Sequence, residues 1–495
     1  MKNDKSINPW IRRICAGLAL VLLVGGSVWM ISRQNRIKPK NEESIGMTEK
    51  TDNITAREQT GTTAEMQPES LEDPIPADPA VKAVLLAEPE YPEEWAWNKT
   101  SGRKGELPPG FVRRQAGVET ADLFRSYFAD MMLLLLSEED QQNAVMSPVN
   151  IFMATAMLAE VTGGQTRQEI LNAMGVGSLS ELRKQAAALW GMCYRDDGQE
   201  KLVLGNSLWL SNGLSYRESA VKSLAEHYYA SSFRGQMGSE EYDQLLREWL
   251  SAMTGDLLKE QAASEHLDPN CVLALAGTIW LQTKWADMNC FDPEQTADAV
   301  FHGARGDETV PFMHQESAAW ECWCGENYRM VRLSTGQGAA IFFLPDESVS
   351  VTEMMASPSF REYLANSNQG TVEGMSVIEA KVNLSVPKLD INATQDLIGS
   401  MKKLGMESCF DPKTADFSPL LDLPGTHVDA ATQSSRLMMD EEGISAASYV
   451  LITAAGYPPE EEIEINMVID RPFFLLVTGY AAIPLFAAVV NTIEP

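Results

Sequence analysis

Residues 441–464 read EEGISAASYVLITAAGYPPEEEIE. The middle of this stretch, Ile444 to Ala455, is small, β-branched and uncharged, while both ends are acidic and Pro458 and Pro459 close it. Such a segment suits the interior of a sheet, with charged gatekeepers on either side. No hairpin partner stands at turn distance. The chain therefore carries a strand-like segment without a local mate.

The surrounding chain of 495 residues has a net charge of -30. Its first 40 residues hold eight Lys or Arg and one acid, which leaves 31 basic against 68 acidic side chains in the remainder. A surface that acidic repels phosphate, so no nucleic-acid partner is expected. Ile14 to Ile31 is an uncharged run of 18 residues, just long enough as a helix to cross a bilayer. Arg12 and Arg13 precede it, and Trp10 and Trp29 suit its interfaces. We read residues 1–32 as a cytoplasmic tail and single-pass anchor that holds the body outside the cell membrane. A signal peptide cleaved before Ser27, giving a secreted product, is the alternative. Residues 33–115, rich in Glu, Thr, Pro and Asn, read as a disordered acidic stalk from which Tyr91 to Trp97 docks on the body. Residues 116–495 read as one folded domain.

Within that domain the spacing of apolar residues predicts helices over Thr120–Leu136, Ile151–Val161, Thr166–Met174, Ser219–Tyr229 and Tyr242–Lys259. Strands are expected over Lys201–Leu210, Cys271–Leu281, Ala339–Leu344, Lys381–Val386, Glu464–Val468, Phe473–Thr478 and Leu485–Asn491. Helices dominate early and strands late, which is an α+β arrangement with large antiparallel sheets. The familiar catalytic signatures are missing: no phosphate-binding glycine loop, no dinucleotide pattern, no HExxH and no GxSxG. His227, His266, His302, His314 and His427 lack metal-ligand spacing. Cys322 and Cys324 stand two apart and would share one face of a strand. No second pair completes a four-ligand site, and ordinary thiols are the plainer reading. No metal, no cofactor and no enzymatic activity are expected.

Several motifs, in order and at spacing, resemble the serpin family of protease inhibitors in a bacterial-type form. They are NAVMSPVNIFMATAMLAEVTGGQTRQEIL from Asn143, WLSAMTGDLLKE from Trp249, LALAGTIWLQTKWADMNCFDPEQT from Leu273, VNLSVPKLDINATQDLIGSMKKLGM from Val382, DEEGISAA from Asp440 and the closing RPFFLLVTGYAAIPLFAAVVN. The resemblance implies a large antiparallel sheet A, two smaller sheets, about eight or nine helices and an exposed reactive loop. It implies a monomeric suicide inhibitor of serine proteases, elastase-, chymotrypsin- or subtilisin-like. The target cleaves the loop and is caught as an acyl-enzyme while the loop enters sheet A as a new central strand. This supplies the missing mate of the opening stretch.

The resemblance also places individual residues. Glu441, Glu442, Gly443, Ile444, Ser445, Ala446, Ala447 and Ser448 form the hinge, and its last four residues are small enough to slip between packed strands. Trp285, Lys388 and Glu441 match the breach at the loop's entry. Ser147 keeps the serine of the shutter, the polar cluster beneath which sheet A opens. Asn150 stands there where serine is usual, Gly277 where asparagine is, and Gln433 where histidine is, with the Asn150 amide expected to meet Gln433. Loop length puts the scissile bond between Tyr457 and Pro458. Proline is poorly accepted on the leaving side, so cleavage after Gly456, Ala455, Ala454 or Thr453 stays open. A non-inhibitory serpin acting as a surface binding module is the alternative, and an exported hydrolase a third.

Overall fold

The computed structural model describes residues 23–33, 74–92 other than 81, and 109–493 other than 138–140, 199, 287–289, 367–371 and 445–462. The chain enters with β1 (Leu23–Arg33) and β2 (Val84–Ala87), followed by α1 (Pro109–Ala116), α2 (Arg125–Leu136), β3 (Ala144–Met146) and α3 (Pro148–Val161). Next come β4 (Lys201–Ser211), β5 (Ala230–Gly235), α4 (Glu240–Met253) and β6 (Cys271–Lys284). The antiparallel half brings β7 (Gly306–Cys324), β8 (Tyr328–Ser334), β9 (Ala339–Pro345), β10 (Ser376–Pro387), β11 (Leu389–Asp396) and β12 (Thr426–Met439). After β13 (Gly443–Ile444) the chain closes with β14 (Glu464–Val468), β15 (Phe473–Thr478) and β16 (Pro484–Val490).

Two hydrogen-bonded networks result. The first runs β11-β12-β1-β6-β4-β5-β2, with β13 on β6; the second runs β14-β10-β7-β8-β9-β15-β16-β3. The class is α+β, as the apolar spacing implied. CVLALAGTIWL in β6 is continuously apolar because helices cover both faces, and all but two of its fourteen residues are buried. α3 is buried along its whole length. Its start follows from local chemistry: the Ser147 side chain accepts from the Asn150 amide, and Pro148 fills the first turn where an N–H has no partner. α3 then lies beneath β6 and carries the polar residues Asn150 and Thr155 into the core.

Two expectations change at the N-terminus. The described part of the run read as a transmembrane helix is a strand, and no helix among the described residues is long and apolar enough to cross a membrane. The physical reason combines local propensity with distant partners. Gly25 and Gly26 are poor helix formers, Val24, Val28 and Ile31 favour extended backbone, and β6 and β12 offer an unfilled ladder on either side. Residues 14–22 lie outside the described residues. The stalk expected over 33–115 also gives up part of its length to the fold. Val84–Ala87 pairs with β5, Ile75 bridges Tyr216, and α1 packs on the helix that carries Trp190. Tyr91 docks as expected, with its ring 5.5 Å from that of Trp190; residues 93–97 lie outside the described residues.

Candidate functional site

The candidate site is the seam between β6 and β12, entered at its top by the hinge. There the chain turns through Asp440 and Gly443, which bridge each other, and Gly443 and Ile444 pair antiparallel with Lys284 and Thr283 of β6. Gly443 has φ +120, and a Cβ on it would lie 2.5 Å from the Trp285 amide nitrogen and 2.6 Å from the Lys284 Cα. Only glycine fits both the angle and the close approach. Trp285, 2% exposed, donates its indole N–H to the Asp440 carbonyl at 2.9 Å. The Lys388 Nζ lies 2.7 Å from the Glu441 carboxylate, whose other oxygen accepts from the Thr296 hydroxyl at 2.6 Å. Burial opposes ionisation of Glu441, but the hydrogen bonds from Lys388 and Thr296 outweigh it and hold the carboxyl below its ordinary range. The three breach residues placed from the resemblance thus converge. Lys388 is 38% exposed, so the ion pair itself contributes no more than about 1 kcal/mol. It fixes direction more than stability.

Half way down the seam lies the polar cluster. The Gln433 side chain makes two bonds to the Ser147 backbone: Oε1 accepts from the amide at 3.0 Å and Nε2 donates to the carbonyl at 3.2 Å. Asn150 donates through Nδ2 to the Gly277 carbonyl at 3.4 Å. A Cβ at Gly277 would meet Asn150 Oδ1 at 2.6 Å. The glycine on β6 therefore makes room for the longer amide on α3. Ser147, Asn150 and Gln433 are all at most 1% exposed, and buried polar groups of this kind are tolerated when paired. Gln433 is thus tied to the Ser147 backbone and Asn150 to Gly277.

Three residues that sequence reasoning did not single out complete the site. Thr296 reaches Glu441 because Asp292 caps the tight turn Pro293–Gln295, its carboxylate accepting from the Glu294 amide at 3.0 Å. The DPEQT spelling was a readable turn signal. Asp440 supplies the carbonyl for Trp285, which no side-chain pattern encodes. Glu200, just before β4, is 1% exposed and lies close to Gly336 and Thr283 at the top of the sheet. Burial pushes its carboxyl up to about 8, with Arg195 pulling it down and Asp197 pushing it up.

Over the seam, the segment after α4 is held by Arg436 of β12, which donates to the Leu257 carbonyl at 3.4 Å and forms a two-pronged pair with Asp390 at 2.8 Å. Ser445, Ala446, Ala447 and Ser448 and every candidate for the scissile bond, Thr453 to Pro458, lie outside the described residues. The histidines sit on separate elements, and no group of three His, Cys, Asp or Glu among the described residues is placed to hold a metal ion. Cys322 and Cys324 end β7 as free thiols, Cys322 buried. Burial and the neighbouring Cys324 push the Cys322 thiol up to about 11, which makes it inert at neutral pH.

Comparison with known proteins agrees with this geometry. The profile of the family described as Serpin (serine protease inhibitor) matches residues 125–493. An alpha-1-antiproteinase of Rattus norvegicus is 26% identical over 425 residues, covering 82% of this chain and 96% of its own length. A putative serpin-Z5 of Oryza sativa subsp. japonica is 23% identical, covering 68% of this chain and 81% of its own. The native thermophilic serpin tengpin superposes with a TM-score of 0.62 at 20% identity, covering 83% of this chain and 100% of that one. Thyroxine-binding globulin in complex with thyroxine superposes with a TM-score of 0.61 at 22% identity, covering 75% and 99%. At these identities the structures share a fold. The two curated relatives are a mammalian and a plant protein and lend the bacterial-type reading no support.

Proposed function

We propose, for a chain that belongs to the serpin family, that it traps serine proteases by insertion of its cleaved reactive loop into the seam between β6 and β12. The observation that carries this reading is the hinge. Gly443 and Ile444 are already paired with the top of β6, antiparallel, which sets the direction that a strand continued from them would take. The target's serine attacks a loop carbonyl, the peptide bond breaks, and the segment ending at that carbonyl stays joined to the protease as an ester. The released segment then extends from β13. Once β1 has left the seam, about a dozen ladder bonds at ~0.5–1.5 kcal/mol each, with burial of Val450 and Ile452 at ~1.5–3 kcal/mol apiece, rival the stability of a whole domain. That is enough to hold a protease in a distorted state before water cleaves the ester.

The uncharged spelling of Ile444 to Ala455 and the small residues after the hinge support insertion. The candidates Tyr457, Gly456, Ala455, Ala454 and Thr453 point to chymotrypsin-, elastase- or subtilisin-like targets. A monomer with its body released outside the cell fits the acidic surface. Incubation with pancreatic elastase, chymotrypsin and subtilisin tests the proposal on a denaturing gel. A band larger than either partner that survives SDS is the expected result. Complete loop cleavage by all three with no such band, whether β1 is seated or displaced, would assign the chain to the non-inhibitory branch, a surface binding module.

A further inference from the structure

The place the loop needs is taken by another part of the same chain. β1 runs between β6 and β12, antiparallel to both, from Leu23 opposite Leu281 to Ile31 opposite Leu273 and Val428. The hinge lies on the same edge of β6, with Ile444 opposite Thr283. Continued in step along β6, Ala446 would stand opposite Leu281, which is the place of Leu23. β12 gives the same register independently. Continued in step from the Asp440–Gly443 bridge, Ala447 would face Arg436, which is the partner of Val24. β1 is therefore collinear with the hinge, runs in the same direction, and covers the positions that Ala446 to Ala454 would fill.

We propose that residues 23–33 are the chain's own ligand for this seam, and that while they are seated the reactive loop cannot enter, so trapping requires their withdrawal. The two occupants have similar chemistry. Leu23 to Ser32 carries no charge, as Ile444 to Ala455 carries none. Gly25, Gly26 and Ser27 stand at the positions of Ser448, Tyr449 and Val450, which places the smallest residues of β1 at the polar cluster. A second observation points the same way. Ser27 lies opposite Gly277 on one side and Gln433 on the other. Those are two of the three positions at which the cluster departs from the family pattern, so the departures flank the foreign strand. The uncut loop is joined to β13 at one end and to β14 at Glu464 at the other, so it cannot extend down the seam without giving up one of them. β1 can, and being covalently joined it is present at an effective concentration in the millimolar range.

Occupancy of the seam stands apart from loop insertion; only its effect on trapping rests on that reading. The test uses the full chain with Val28→Cys and Thr432→Cys, positions directly paired between β1 and β12 and so at disulfide distance. Oxidation should cross-link the two introduced thiols, as mapped by mass spectrometry, about tenfold more abundantly than in an out-of-register control, Val28→Cys with Ser434→Cys. The oxidised protein should refuse a synthetic peptide of residues 444–457 and form no SDS-stable protease complex, and reduction should restore both. In a second variant, Gly26→Pro, the missing N–H and the fixed backbone angle disfavour a central strand, and peptide uptake should rise about tenfold over the parent. A cross-link no stronger than the control, or equal peptide uptake by locked, reduced and Gly26→Pro forms, overturns the proposal. If peptide uptake behaves as expected but no form ever traps a protease, seam occupancy stands and the inhibitory reading fails.

Discussion

At Glu200 one buried carboxyl ties the stability of the sheet's upper end to pH. Its native form is pushed up to about 8 from an ordinary 4.5, chiefly by burial. A raised carboxyl favours folding while protonated, so its contribution is whole below about 4.5 and is lost as pH rises towards 8. Arg195 and Asp197 face the same group and act in opposite senses. Glu200→Gln should therefore match the parent at pH 4.5 and exceed it at pH 8.5, by on the order of 1–4 kcal/mol, measured as a higher melting temperature. Equal melting at both pH values would show that the carboxyl finds a compensating partner. Gly443 is the other residue with a sharp expectation. Gly443→Val asks for a side chain at φ +120 within 2.5 Å of the Trp285 nitrogen. The unfolding free energy should fall by about 1–3 kcal/mol, read from a denaturant melt. Gly443 was legible in the spelling EEG, but Glu200 was not. A lone glutamate before an apolar strand looks like a solvated end until the fold closes over it.

Among the elements, the reactive segment and β1 compete for one ladder, and single charges discriminate between them. Ala446 falls in step with Leu23 opposite Leu281, in the interior of the seam, so Ala446→Arg would require an unpaired charge to enter the sheet. Cleavage should proceed at the parental rate while deacylation outruns insertion. Complex yield should drop at least about tenfold, the cost of some 1.4 kcal/mol, with free cleaved inhibitor as the product on the gel. Ala447→Arg, which alternates to the other face, should lose less. Equal trapping by both variants and the parent would remove loop insertion from the mechanism. Element type was legible where apolar runs were long: β14 and β15 match their expected ends, and β4, β6 and β9 differ by a few residues. β12 was not legible, because THVDAATQSSRLMM places polar Gln433 and Ser435 in the buried positions. β7 was missed for the opposite reason. Over GDETVPFMHQESAAWECWC only five of nineteen residues are buried, so no apolar alternation marks it.

On the scale of the whole molecule, cleavage of the loop should reveal which occupant holds the seam. With β1 seated, cutting the loop adds no central strand, and the melting temperature should rise by only a few degrees, about what loop release alone gives. In the Gly26→Pro form, or in detergent micelles that offer Ile14 to Ile31 an apolar phase, the same cut should raise it by about 10 °C or more. Identical rises in all three, followed by calorimetry, would mean that β1 does not restrain the loop. The same run that suits a bilayer by composition suits a sheet by register. Composition alone could not choose between them, because hydrophobicity measures transfer out of water and is indifferent to what receives the segment. The sequence by itself determined the α+β class, and motifs of fixed order named Gly443, Trp285, Lys388 and Glu441 but not the partners that Trp285 and Gln433 take. Only the tertiary structure decided that Leu23–Arg33 is a strand and that it lies where the loop must go. A strand's partners are distant in the chain, and its backbone bonds are satisfied only when β6 and β12 stand on either side.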